Sequence, residues 1–146
     1  MSALDELYRE VILEHYKSPR NLGRLAEPDV ATRGHNPLCG DDVEISFEVE
    51  DEVVTDIRFQ GKGCSISQAS ASMLTEAVKG KTTDEARALV VAFKAMMHGD
   101  PVSPDELGDI EALQGVRKYP VRIKCALLAW TTLQEGLELY ARRDHS

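Results

Sequence analysis

With 146 residues, 42% apolar and 5% aromatic, the chain has the size of one domain with a modest core. A net charge of −8 argues against general affinity for nucleic acid, which needs clustered Lys and Arg, and fits a solubilising surface or a basic partner. No apolar run reaches the length of a membrane span, no signal peptide is visible, and three cysteines are an odd number for a disulfide framework. The expected setting is a reducing cytoplasm, with thiols kept for chemistry.

The first element is a helix. Ser2 caps it with Asp5 three residues on, and Leu4, Leu7, Tyr8, Val11 and Ile12 form its apolar stripe until Ser18-Pro19 stops it. Residues 19–38 read as a loop-rich stretch holding Pro19, Gly23, Pro28, Gly34 and Pro37. Two strictly alternating runs follow. Val43, Ile45, Phe47 and Val49 share one face of the first, and Val53, Thr55, Ile57 and Phe59 one face of the second, predicting an antiparallel hairpin. Centred on Asp51, that hairpin sets Ile45 against Ile57 and Val43 against Phe59.

The second half reads as helical. Residues 67–79, with a start near Ser65, end at Gly80; Thr82 and Glu85 make a capping box for the next helix. Ser103-Pro104-Asp105-Glu106 opens a short helix ending near Gly115. The last helix runs from Tyr119-Pro120 to about Arg142, and its apolar first turns predict a buried start. With no repeat, low-complexity segment or visible boundary, residues 1–146 read as a single domain.

Cys39, Asp41, Cys64 and Cys125 are the chemistry-bearing residues. Extending the hairpin ladder brings Asp41 opposite Gly61 and Cys39 opposite Gly63, so that Cys64 arrives beside Cys39. Residues 39 and 41 share a face of extended chain. Cys64 precedes a helix and Cys125 lies in the first turns of another, where the positive helix end favours a thiolate. Three thiolates and one harder, more exchangeable carboxylate suit zinc or iron–sulfur chemistry. Lys62, Arg122 and Lys124 adjoin these residues and offset their charge. The competing readings are a closed structural zinc site and three unrelated buried cysteines. His15, His35, His98 and His145 read as surface or core residues, with His35 a reserve ligand; no motif supports a Cys–His hydrolase.

Asn36-Pro37-Leu38-Cys39-Gly40-Asp41, Gly61-Lys62-Gly63-Cys64 with its Ser/Ala-rich helix, Cys125, and His15-Tyr16-Lys17-Ser18-Pro19-Arg20-Asn21 together resemble the NifU/IscU-like iron–sulfur cluster assembly proteins. The resemblance spans nearly the whole chain. It implies an α+β fold, a small antiparallel sheet packed against several helices, and partnership with a PLP-dependent cysteine desulfurase of the SufS type and with downstream Fe–S assembly proteins. Lys124 stands where scaffold-type members carry histidine, Tyr119-Pro120-Val121-Arg122 replaces their chaperone-recognition segment, and residues 98–118 look like the insertion of the SufU branch. That branch implies Zn²⁺ held by Cys39, Asp41, Cys64 and Cys125. It also implies a sulfurtransferase-like role, the acceptance of persulfide sulfur. The acceptor is assigned here to Cys39, because its Pro/Gly-bracketed loop is the most movable ligand segment, with Arg122 assisting. The alternative is a scaffold that assembles a transient [2Fe-2S] cluster on the same ligands.

Overall fold

The computed structural model describes residues 3–37, 40–100 and 108–144, with side chains over 6–37, 40–100 and 108–143. Its centre is the hairpin of β2 (Asp41–Glu50) and β3 (Val53–Lys62). The two loop residues, Asp51 and Glu52, both take positive φ (51° and 67°), the backbone sense that matches strand twist across a two-residue turn. Glu50 pairs with Val53 and Val49 with Val54, but the next pair is Glu48 with Asp56. Thr55 is therefore an extra residue, a bulge in β3.

The turn and the bulge together correct the ladder expected from symmetry about Asp51. Ile45 faces Phe59, Phe47 faces Ile57 and Val43 faces Gly61. The shift is two residues, which is the side-chain period of a strand, so Val43, Ile45, Phe47, Ile57 and Phe59 keep the buried face that alternation predicts. Only beyond the bulge does the phase change: Val54 is buried where Thr55 was expected, and Thr55 is exposed.

A third strand, β1 (Val30–Asn36), lies in the stretch read as loop and pairs antiparallel with β2, giving the order β1-β2-β3. Its inward positions, Val30, Thr32, Gly34 and Asn36, carry little hydrophobic signal because the last helix approaches too closely for large side chains. A Cβ on Gly34 would sit 2.0 Å from Thr132 Oγ1, and the Thr32 hydroxyl donates to the Thr132 carbonyl at 2.9 Å.

Of the helices, α2 (Ser65–Val78) and α4 (Pro120–Asp144) pack against this sheet, and α1 (Ala3–Lys17), α3 (Thr83–Met97) and a 3₁₀ helix (Gly108–Lys118) pack on them. The architecture is α+β. The core joins Ile45, Phe47, Ile57 and Phe59 of the sheet to Met73, Leu74, Phe93, Trp130 and Leu133. Phe93 stacks on Trp130 with centroids 4.3 Å apart. Small side chains on α2 (Ala69, Ser70, Ala71, Ser72) are all buried, which lets neighbouring helices come close. Their hydroxyls are satisfied: Trp130 Nε1 donates to Ser70 Oγ at 3.0 Å, and Ser70 donates to the Ala126 carbonyl at 2.7 Å.

Three helical expectations need correction. On α1, Leu7 is exposed and the buried line runs through Ile12 to His15; the Ser2 cap and the side chain of Leu4 lie outside the described residues. The Ser103–Glu106 cap also lies outside them, and the helical segment after it is a 3₁₀ helix that passes Gly115 and ends at Lys118. The buried start of α4 holds from Cys125, Ala126 and Trp130 onward but not for its first turn, where Val121 is 63% exposed and Tyr119, just before the helix, 61%. An apolar run identifies a helix face without saying how far along it another element reaches.

Candidate functional site

The site forms where the sheet hands over to α2 and α4. The Gly40 amide donates to the Asn36 carbonyl at 2.8 Å, Gly40 takes φ 71°, and Asn36 pairs with Asp41, so the chain leaving β1 re-enters the sheet at once. Asp42 pairs with Lys62. One step further along this register, Asp41 meets Gly63, the place that a symmetric ladder assigned to Cys39. Any larger residue there would displace its neighbours: a Cβ on Gly63 would lie 2.5 Å from both Asp41 Oδ1 and Ser67 Oγ.

Asp41 is buried at 1% exposure, a state that a carboxylate tolerates only with partners. Oδ1 accepts the Cys64 amide at 3.0 Å, and Oδ2 lies 3.7 Å from Cys64 Sγ. Cys64 is the N-cap residue of α2, with extended backbone and no side-chain cap, so its sulfur is left to face Asp41. Ser67 donates to the Cys64 carbonyl at 3.1 Å and holds its hydroxyl 3.9 Å from the sulfur. Cys125, fully buried on α4, lies 3.7 Å by its Sγ from the Val121 carbonyl. One donor atom each from Asp41, Cys64 and Cys125 falls within 4.8 Å of the others.

Arg122, exposed on the first turn of α4, interacts with both Cys64 and Cys125. The charge of Cys64, then a hydrogen bond to Cys125 and the charge of Cys125, hold its guanidinium above the ordinary value, burial opposing weakly. It is a cation that interacts with both sulfurs. An open groove of about 850 Å³ leads to Asp41, Gly63 and Cys64, its walls formed by Ile66, Lys118, Tyr119, Pro120, Val121 and Arg122.

The structure thus brings together Asp41, Cys64, Cys125 and Arg122 of the sequence-derived set. Cys39 lies outside the described residues; its neighbours Asn36 and Asp41 are paired beside the cluster. His35, the reserve ligand, engages Asp42 Oδ1 at 2.7 Å on the exposed side and takes no part in it. Lys62 and Lys124 are exposed, in keeping with the surface reading. The donor set fits a small soft cation: tetrahedral zinc with bonds of about 2.3 Å to sulfur and about 2.0 Å to oxygen sets those atoms roughly 3.5 Å apart, against the 3.7 Å between Cys64 Sγ and Asp41 Oδ2.

A second cluster escaped the sequence reading. His15 Nε2 lies 3.1 Å from Asp109 Oδ2 and its Nδ1 2.9 Å from Ser72 Oγ, with Glu76 close enough to complete a group of three donors. Arg20 Nε sits 3.4 Å from Glu76 Oε2, already neutralising it. The three residues are too far apart in sequence for any spacing to announce them, and the buried imidazole ties α1 to α2 and to the 3₁₀ helix.

Residues 7–126 match the family described as the NifU-like N terminal domain. The chain is 49% identical to the zinc-dependent sulfurtransferase SufU of Bacillus subtilis strain 168, over 92% of this chain and 91% of that protein. It is 41% identical to the iron–sulfur cluster assembly scaffold protein IscU of Streptococcus pyogenes serotype M1, over 99% and 91%. Among solved structures it is similar to the N-terminal part of a NifU-like protein from Brucella abortus, with a TM-score of 0.86, 32% identity and coverage of 97% and 99%. It is similar also to an iron–sulfur cluster assembly scaffold protein for the SUF system from Fervidobacterium islandicum AW-1, with a TM-score of 0.84, 35% identity and coverage of 88% and 94%.

Proposed function

This chain belongs to the family of NifU-like N-terminal domains, and from that premise we propose that it acts as a single domain that accepts persulfide sulfur from a cysteine desulfurase and passes it on for iron–sulfur cluster assembly. The observation that carries the reading is the convergence of Asp41, Cys64 and Cys125 within 4.8 Å at the end of an open groove. Cys39 completes the donor set, and the four residues suit zinc. Bound zinc keeps the thiols deprotonated at neutral pH and holds them together.

The transfer is a thiolate exchange. The Cys39 thiolate attacks the outer sulfur of the donor's persulfide, the new bond joins that sulfur to Cys39, and the donor's S–S bond breaks to leave its cysteine as a thiolate. No net oxidation occurs, and the sulfane sulfur ends on Cys39 as a persulfide. Asp41 is held by the Cys64 amide and so stays in place while Cys39 reacts. Arg122 supplies a fixed positive charge beside Cys64 and Cys125 as negative charge moves between sulfurs.

The IscU relatives favour a second reading, assembly of a [2Fe-2S] cluster as cargo on the same residues. Lys124, standing before Cys125 in place of a histidine, favours sulfur acceptance. The test is metal and acid-labile sulfide content of protein purified without air, together with turnover of a SufS-type desulfurase. One zinc per chain, no sulfide and faster desulfurase turnover support sulfur acceptance. Iron and sulfide in equal amounts support the scaffold, and zinc with no effect on the desulfurase leaves a structural site. The Cys39→Ala variant should carry no added sulfur by mass spectrometry; wild-type transfer by it would remove Cys39 from the acceptor role.

A further inference from the structure

Four hydroxyl side chains are buried on α2, and three of them tie the helix to another part of the chain. Ser70 joins Ala126 and Trp130, Ser72 accepts the Arg20 amide and meets His15, and Thr75 accepts the side-chain amide of Asn21. Ser67 is the exception. Among the described residues, the hydrogen-bond partners of its hydroxyl all lie on Cys64.

The bond from that hydroxyl to the Cys64 carbonyl, at 3.1 Å, is redundant, because the same carbonyl accepts the Gln68 amide at 3.1 Å. The hydroxyl hydrogen can therefore turn from the carbonyl to the sulfur, 3.9 Å away, and leave the backbone satisfied. Helix stability does not account for the residue. Cys64 holds the N-cap position, and within a helix alanine is favoured over serine. Room is also kept for this hydroxyl, since a Cβ on Gly63 would lie 2.5 Å from Ser67 Oγ.

We propose that Ser67 is a positioning residue whose hydroxyl donates to the Cys64 sulfur in the metal-loaded site, keeping Cys64 as the firm ligand and leaving Cys39 to take the sulfur. The proposal rests on the sulfur-acceptance reading, whose outcome it directs. A ligating sulfur carries no proton and only accepts, so the hydroxyl is the donor of the pair. A hydrogen bond to an anionic sulfur draws off charge and weakens it as a nucleophile. Cys125 is shielded by full burial, whereas Cys64 is half-buried and lines the open groove, within reach of an incoming persulfide. Unrestrained, the Cys64 thiolate would attack the outer sulfur of that persulfide; the new S–S bond would form on Cys64 and the donor would leave as a thiolate.

The test compares wild type with Ser67→Ala and Ser67→Thr, and with Ser65→Ala as control, a half-buried serine of the same turn. In Co²⁺-loaded protein, the sulfur-to-cobalt charge-transfer band reports how tightly the ligand sulfurs hold their electrons. In zinc-loaded protein, glutathione persulfide is added, thiols are capped with iodoacetamide, and added sulfur on the Cys39 and Cys64 peptides is counted by mass spectrometry. Ser67→Ala should move the band to longer wavelength with Tm and Co²⁺ content unchanged, while Ser67→Thr and Ser65→Ala keep it in place. The ratio of sulfur on Cys64 to sulfur on Cys39 should rise roughly tenfold in Ser67→Ala, as for a lost hydrogen bond to a charged group.

A band unmoved by Ser67→Ala, or moved equally by Ser67→Thr or Ser65→Ala, would overturn the proposal. So would an unchanged sulfur ratio, wild-type sulfur on Cys64 rather than Cys39, or a wild type with no sulfur-to-cobalt band at all. If the band moves as expected but wild type takes no sulfur on any cysteine, the hydrogen bond stands and the sulfur-acceptance reading fails.

Discussion

The N-termini of α2 and α3 solve the same problem in opposite ways. At α3, Thr82 accepts the Glu85 amide at 3.0 Å while Glu85 accepts the Thr82 amide at 3.0 Å, so side chains satisfy the helix end locally. At α2, the N-cap residue is Cys64, which makes no side-chain cap. Its amide is instead satisfied by Asp41, 23 residues away on another element. One end is finished for stability; the other is left chemically open, its capping position given to a sulfur. The difference teaches that a poor cap in a well-formed helix marks where chemistry has displaced stability.

The comparison can be broken most decisively at the donors. Replacing Cys125 by Ala removes a buried donor from the cluster, and zinc content measured after gel filtration should fall from one per chain to near zero. Retention of full zinc would show that Cys125 is no ligand. A smaller loss is expected from Gly63→Ala, whose new methyl would press on Asp41 Oδ1 and Ser67 Oγ. Metal affinity from a competing chromophoric chelator should drop roughly tenfold to a hundredfold, as when a group that orients a metal ligand is displaced.

Thr82→Ala is the counterpart at the finished end. It should cost about 1 kcal/mol in urea unfolding and leave metal affinity alone. Cys64→Ser sharpens the contrast further, because serine is a good N-cap: metal-free protein should gain up to about 1 kcal/mol while metal binding is lost. No gain in the metal-free variant would mean that the α2 terminus is already satisfied by Asp41. The smallest effect concerns pH. The backbone hydrogen bond from Thr82, and then its side chain, hold the Glu85 carboxyl below its usual value. Its contribution to stability is therefore present above the unfolded-state value and lost as pH falls through the folded one. Urea midpoints of wild type should decline more steeply than those of Glu85→Gln in acid, and parallel curves would show the α3 cap to be insensitive to that charge.

The elements differ in how legible they were. The α3 cap was readable because Thr82 and Glu85 act over three residues. The buried face of the hairpin survived a wrong register up to the bulge, since a two-residue shift returns those side chains to their own side, and only Val54 and Thr55 beyond it exchanged faces. The same shift had a consequence at the site, where Asp41 rather than Cys39 meets Gly63. β1 was missed because its inward positions are chosen to fit Thr132 and its neighbours, 100 residues away in the case of Thr32. Cys64 and Cys125 stood out by type and setting, whereas the His15–Asp109 contact carried no local sign.

Sequence alone determined the family, the alternating faces, the α3 cap and the residue types of the candidate site, because each is written in short-range pattern or in ordered motifs. Tertiary structure decided the strand register, the burial of Asp41 and the exposure of Tyr119 and Val121. Those depend on which distant element comes to lie against each segment, and a turn, a bulge and the close approach of α4 to Gly34 settle that only when the chain is packed.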